Sequence, residues 1–145
     1  MSTGYSKTPL WKKLGLREGN SLLLLDAPAG WELPQLPTGI SSHRAAGTDQ
    51  QVAADVILTF FMSLAALRER ISVLARMIFP DGAVWIAWPR RAGGHESDIT
   101  DNEIRALALP LGLVDVKVAA IDEDWSGLRL VWRVERRSAS SATQG

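Results

Sequence analysis

The 145-residue sequence contains no cysteine and only two histidines, His43 and His95. Without cysteine there can be no disulfide framework, no thiolate nucleophile and no cysteine-ligated metal. The two histidines lie far apart in the chain, so a histidine-rich metal site is not expected either. We therefore predict that the protein binds no metal.

The sequence also lacks an excess of either charge, because 16 lysines and arginines balance 16 aspartates and glutamates. Proteins that are dedicated to nucleic acids usually carry a strongly basic surface. Anionic membranes likewise attract clusters of basic residues. We therefore expect neither a nucleic-acid partner nor a membrane partner.

Long apolar runs are missing as well. The longest strongly apolar stretch, residues 56–67, is too short to span a bilayer. The first 13 residues contain no apolar signal core, so we predict a cytoplasmic protein. The polar residues from Arg136 onward cannot form a core, which predicts one domain over residues 1–135 and a disordered tail over 136–145.

Short apolar runs do occur, and they alternate with helical patterns. Continuous apolar runs are typical of strands that are covered on both faces of a sheet. Such runs predict strands at residues 21–25, 55–61 and 83–88, and a weaker strand is predicted at 40–45. Ser63 and Thr100 are predicted to cap the two main helices. After Val114 the pattern changes to period two as far as Glu135, which predicts an antiparallel hairpin.

Alternating strands and helices predict an α/β fold with parallel crossovers. The predicted fold is a single Rossmann-like domain, with a mostly parallel sheet, a C-terminal antiparallel hairpin and helices on both faces. Ligands of such sheets bind at the carboxyl ends of the strands. The segments that qualify are Asp26–Gly30, His43–Ala46, Phe61–Ser63, Trp88–Gly94 and Asp122–Ser126.

The first of these segments follows four leucines and reads DAPAGW. A cofactor loop needs small residues so that backbone amides can approach the ligand. Here there is one glycine, and Pro28 has no amide to donate. Asp26 is a candidate to bind a ligand amine or ribose, but it can equally close its own turn. We expect Asp26 to close this turn rather than to bind a nucleotide.

The segment WPRRAGGH offers a second candidate site at Trp88, Arg90 and Arg91. Guanidinium groups beside a helix N-terminus suit a small anionic ligand such as a phosphate or carboxylate. The alternative is a solvated loop whose arginines pair with nearby acids, including Glu96 and Asp98.

The third candidate is DEDWSG, where Asp122 and Trp125 lie in the predicted hairpin turn. Neighbouring carboxylates can attract a cation, and Trp125 could form an aromatic wall together with Trp31 and Trp88. The alternative is a solvated acidic turn in which Trp125 covers the end of the sheet.

Two resemblances add to these patterns. The order of helix, FPDG turn, VWIAW strand and final hairpin, from Asp55 to Glu135, resembles the back half of the Rossmann-like methyltransferase fold. A closer resemblance is to an uncharacterised bacterial family, domain of unknown function 3052. It rests on TPLWKKLGL (8–16), LLLLDAP (22–28), FPDGAVWIAWPRR (79–91), LALPLGLVDVKVAAID (107–122) and WSGLRLVWR (125–133). That family implies a compact Rossmann-like domain and no known activity.

The function preferred from the sequence is a non-catalytic binding or regulatory module for a partner protein or a small anionic ligand. It would have no catalytic residue and no cofactor, and it could form a homodimer through the edge strand at residues 114–121. The alternative is a divergent methyltransferase-like enzyme that uses adenosylmethionine. Two features common in methyltransferases are missing. No acid directly follows the second predicted strand, since the first acid after it is Asp49. The third predicted strand is not followed by an Asn/Asp-Pro-Pro-aromatic motif.

Overall fold

A computed structural model describes residues 8–46 and 54–137 of the chain. It contains one six-stranded sheet with the strand order β2-β1-β3-β4-β6-β5. The strands are β1 (Ser21–Leu25), β2 (Ser41–Ala45), β3 (Val56–Phe60), β4 (Ala83–Pro89), β5 (Leu113–Ala120) and β6 (Trp125–Trp132). The helices are α1 (Leu10–Lys13), α2 (Leu64–Met77) and α3 (Asp101–Ala108).

The first four strands are parallel, and β6 runs antiparallel to both β4 and β5. The predicted fold class is therefore confirmed: an α/β domain with a mostly parallel sheet and an antiparallel C-terminal pair. Residues 47–53, between β2 and β3, lie outside the described residues, as do residues 138–145 of the predicted tail.

The sheet is covered on both faces. Alternate residues of β1 point in opposite directions, so that Leu23 and Leu25 join the core under α2 and α3. Leu22 and Leu24 join the core on the other face, which is covered by α1 and the irregular segment 26–40. This double coverage explains why β1 is a continuous apolar run rather than an alternating one.

The caps of the two longer helices are those expected. The Ser63 side chain accepts a hydrogen bond from the amide of Ala66 at 3.2 Å, and Thr100 accepts from the amide of Glu103 at 3.2 Å. The short helix α1 begins in another way. Pro9 is the N-cap there, and no side chain caps this short helix.

The last hairpin is shifted relative to its predicted position. β6 begins at Trp125 because the Asp122 carboxylate closes the preceding turn, accepting from the amides of Asp124 and Trp125 at 2.8 and 2.9 Å. It ends at Trp132, whose carbonyl accepts from the Arg137 guanidinium of the helical turn at residues 134–137. The prediction that the strand continues to Glu135 is therefore wrong.

The strand order fixes where a ligand would bind. From β1 the chain moves to β2 on one side, whereas from β3 it moves to β4 on the other, so the reversal lies between β1 and β3. Ligands of open α/β sheets bind in the crevice at such a reversal. The carboxyl ends there carry Asp26 and the corner Phe61–Ser63. None of the described helices combines the length and apolarity needed to cross a membrane.

Candidate functional site

Asp26 stands at the end of β1, at the point where the strand order reverses. Its backbone has a φ of 56°, in the left-handed region where Asp and Asn are the favoured non-glycine residues. Its carboxylate pairs with the guanidinium of Arg70 on α2. Both side chains remain accessible, with 25% of Asp26 and 36% of Arg70 exposed. An accessible pair of opposite charges therefore lies in the crevice between β1 and β3.

Two concavities with shared lining residues lie beside Asp26, over β1 and β2. One has a volume of about 490 Å³ and is lined by Leu24, Asp26, Ala27, Arg44, Ala45 and Ala46. The other, of about 590 Å³, shares Leu24 and Arg44 and reaches under the segment from Gly30 to Leu36. Volumes of this size are usual for small-molecule sites.

Arg44 shapes these concavities by holding the loop that follows β1. Its guanidinium donates to the carbonyl oxygens of Trp31 and Pro28. The loop has no helix, unlike the connection that usually follows the first strand of a nucleotide-binding sheet. The Pro28 carbonyl also accepts from the amide of Trp31 at 2.9 Å, so the proline belongs to a defined turn.

An aromatic cluster covers the strand ends on the α1 face. The ring of Phe60 makes edge contacts with Trp31 at 5.1 Å and with Trp125 at 4.9 Å between centroids. The Trp31 indole N–H donates to the Asp122 carboxylate at 2.9 Å. With its two bonds to turn amides, Asp122 thus accepts three hydrogen bonds from the protein itself. These contacts favour a role for Asp122 and Trp125 in closing the turn.

Trp88, Arg90 and Arg91 form a separate group on the opposite face. Trp88 is 9% exposed and belongs to the core under α2 and α3. It lines a cavity of about 350 Å³ together with both arginines and with Ser97, Thr100 and Ser126. The expectation that Trp31, Trp88 and Trp125 line one pocket is therefore not met, because the sheet separates Trp88 from the other two.

Charged side chains outside these sites are also perturbed. Burial lowers the pKa of Arg129 on β6, and its Nε is a buried donor without a hydrogen-bond partner. On α3, a hydrogen bond to Asp115 raises the pKa of Arg105, with Asp101 adding to the effect. Within residues 8–46 and 54–137, no three His, Asp or Glu side chains are grouped as metal ligands would be.

Sequence reasoning missed Arg70. It lies off the apolar stripe of α2, a position that predicts a solvated side chain. The signal that could have revealed it is its distance from the helix start. Arg70 lies seven residues after the N-cap Ser63, near enough to the carboxyl edge of the sheet for a long side chain to reach Asp26.

The fold is similar to that of known enzymes, although no family model and no curated protein matches the sequence. A SAM-dependent methyltransferase from Aquifex aeolicus has a TM-score of 0.58 and 14% identity, over 83% of this chain and 86% of that chain. The O-methyltransferase NcsB1 of neocarzinostatin biosynthesis, in complex with S-adenosylmethionine (SAM) and 2-hydroxy-5-methyl naphthoic acid, has a TM-score of 0.61 and 13% identity over 85% of this chain. PigF with SAH, the demethylated form of the cofactor, has a TM-score of 0.59 and 10% identity over 79% of this chain.

The present chain spans 50% of the NcsB1 chain and 56% of the PigF chain. These matches correct two predictions. A non-catalytic module without a cofactor was preferred, and it is contradicted because the shared fold is that of enzymes solved with SAM or SAH. The fold is instead the one that the methyltransferase alternative implies. The sheet order, the antiparallel C-terminal pair and these matches together show that the chain has the fold of the SAM-dependent methyltransferases.

Proposed function

We propose that this protein is a divergent methyltransferase that binds SAM in the crevice between β1 and β3. The observation that carries the proposal is the Asp26–Arg70 pair at the reversal of the strand order. SAM has an amino-acid end with one ammonium group and one carboxylate. A carboxylate and a guanidinium side by side are complementary to those two groups.

The pair can accept this ligand without being dismantled. A carboxylate has about four acceptor positions and a guanidinium has five N–H donors. Asp26 can therefore accept from the ligand ammonium, and Arg70 can donate to the ligand carboxylate, while the two side chains remain in contact. Their partial exposure leaves them open to the crevice.

The adenosyl end would occupy the concavity beside β2. Its lining contains the small side chains Ala27, Ala45 and Ala46, which permit close approach to the backbone. The described residues thus fit the amino-acid end of SAM and offer space for the rest. They do not include an acid directly after β2 for the ribose hydroxyls, since the next acid in the sequence, Asp49, lies outside them.

When bound, SAM supplies an activated methyl group. The contribution of this chain is to hold and orient it beside an acceptor, which is the main task of a protein that uses such a cofactor. The corner Phe61–Ser63 lies at the end of β3, directly next to the proposed amino-acid site. An acceptor would approach over this corner.

The proposal is tested by calorimetric titration of the purified protein with SAH. We expect saturable binding, weakened at least tenfold in Asp26→Asn and in Arg70→Met, because a hydrogen bond to a charged group contributes about 1.5–3 kcal/mol. Asparagine is chosen because it tolerates the left-handed backbone of residue 26. Arg68→Met on the exposed side of α2 is the matched control and should bind SAH as the wild type does.

Absence of SAH binding by the folded wild-type protein contradicts the proposal, and so does undiminished binding by both crevice variants. Three sequence-based expectations stay predictions beside it: membership of the uncharacterised bacterial family, a cytoplasmic location, and a homodimer through β5. None of them is needed for the SAM site.

A further inference from the structure

We infer that Arg90 and Arg91 bind the anionic group of the methyl acceptor, so that the substrate is a small molecule carrying a carboxylate or a phosphate. This inference rests on the proposed function only in that it takes the ligand to be the methyl acceptor. The anion site itself does not depend on the proposed function. The observations concern the loop after β4 and the cavity of about 350 Å³ beneath it.

The loop that carries the two arginines is held in place by its backbone. The amide of Arg90 donates to the Asp124 carbonyl at 2.8 Å, and the Arg90 carbonyl accepts from the amide of Gly93 at 3.1 Å. Gly93 lies so close to the hairpin turn that a Cβ there would come within 2.3 Å of the Glu123 carbonyl oxygen. The guanidinium groups therefore extend from a fixed base.

Neither arginine side chain has a hydrogen bond or an ion pair with any of the residues 8–46 and 54–137. The four ion pairs found among those residues involve Arg70, His95 and Arg105 instead. The segments outside this range contain a single acid, Asp49. Two adjacent positive charges thus face the same cavity without an ion pair to any of the described residues.

Three aspartates around the loop are engaged elsewhere. Asp98 accepts from the amide of Leu64 at 2.8 Å, Asp124 contacts His95 at 2.9 Å, and Asp101 is bound by Arg105 at 3.0 Å. Glu96 and Glu123 are exposed, and among the described residues neither of them forms an ion pair with Arg90 or Arg91. An external anion is a suitable complement for the two arginines, because guanidinium groups pair bidentately with carboxylates and phosphates.

The rest of the cavity wall suits an organic anion rather than a bare ion. Trp88 provides an apolar surface on one side. Thr100 accepts from the Glu103 amide through its hydroxyl oxygen, so its hydroxyl hydrogen is still available to donate. Ser97 and Ser126 add two more hydroxyl groups. A charged head would lie against the arginines, with an apolar part against the indole.

The location relates this site to the proposed cofactor crevice. β4 is the neighbour of β3, and β3 is the neighbour of β1, so the carboxyl ends of β4 and β1 are two strand spacings apart, roughly 10 Å. The hydrogen bond between Leu64 and Asp98 fastens the loop to the start of α2, next to the Phe61–Ser63 corner. A molecule anchored at Arg90 and Arg91 can therefore extend across that corner toward the methyl group.

The test is an NMR titration of the full chain with benzoate and phenyl phosphate, which separate the two anion types, and with neutral benzamide. At least one of the two anions should bind saturably, with shifts at the Trp88 indole and the Thr100 amide. Benzamide should bind at least tenfold more weakly. The double variant Arg90→Met/Arg91→Met should lose at least tenfold in affinity for the anion, whereas Arg68→Met should not.

Three results would overturn the inference: no saturable binding of either anion, equal binding of benzamide, or unchanged anion binding by the folded double variant. Titration of the same double variant with SAH separates this inference from the proposed function. If the wild type binds neither anion but SAH binding is retained, only the anion site is rejected. Anion binding in a protein that does not bind SAH rejects the methyltransferase and keeps the anion site.

Discussion

At the scale of single residues, the sheet ends are organised by aspartates with different roles. Asp26 and Asp122 both follow strands, and both were candidates to bind a ligand. Asp122 accepts three hydrogen bonds, from the Trp31 indole and from two turn amides. Asp26 instead faces Arg70 in the crevice where the strand order reverses. Sequence position alone could not separate these two roles, because the partners come from distant parts of the chain.

We predict that Asp122→Ala lowers the free energy of unfolding by about 2–3 kcal/mol, because three hydrogen bonds to a charged acceptor are lost and the Trp31 indole is left without its partner. Urea denaturation measures this change. Glu123→Ala, the neighbouring exposed acid, should stay within about 0.5 kcal/mol of the wild type. A similar small effect for both variants would show that the Trp31–Asp122 contact does not stabilise the fold.

At the scale of elements, the apolar patterns predicted the strands well. The run from Leu22 to Leu25 predicted a central strand covered on both faces, and β1 is such a strand. Boundaries set by side-chain hydrogen bonds were harder to predict. The start of β6 follows the Asp122 turn, and directly after its end Arg137 binds the Trp132 carbonyl. Neither contact follows from local propensity.

The start of α2 offers a test at this scale, because its N-cap lies at the corner between the two proposed sites. We predict that Ser63→Ala costs about 1 kcal/mol in unfolding free energy, since the Ala66 amide loses its acceptor. Thermal or urea unfolding gives the value. Ser72→Ala, inside the same helix, serves as the control and should be neutral or slightly stabilising. A loss for Ser72→Ala as large as that for Ser63→Ala would contradict the capping role.

At the scale of the whole molecule, the strand order carries more functional information than any single motif. The loop DAPAGW lacks the glycines of a cofactor loop, and on that ground the sequence argued against SAM. The sheet nevertheless brings Asp26 and Arg70, which are 44 residues apart, into the crevice where such folds bind their ligands. A site whose residues come from distant parts of the chain cannot be recognised from a local pattern of glycines.

One edge of the sheet, formed by β5, is also a feature of the whole molecule. β5 is an edge strand with Val116 and Val118 about half exposed. Its register shifts between Asp115 and Lys117. Bulges and lysines are features by which edge strands avoid pairing with other chains. The homodimer through β5 stays a prediction, and the account rests on the crevice of a single chain.

The measurement that tests the central claim most directly is an amide NMR titration of the wild-type protein with SAH. We predict saturable shifts at Asp26 and at the non-proline residues of the following loop up to Gly30, together with Ala45 and Ala46 at the end of β2. The amides of residues 113–118 in β5 should not move. No shift at saturating SAH, or shifts confined to parts of the chain away from the β1–β3 crevice, would contradict the account.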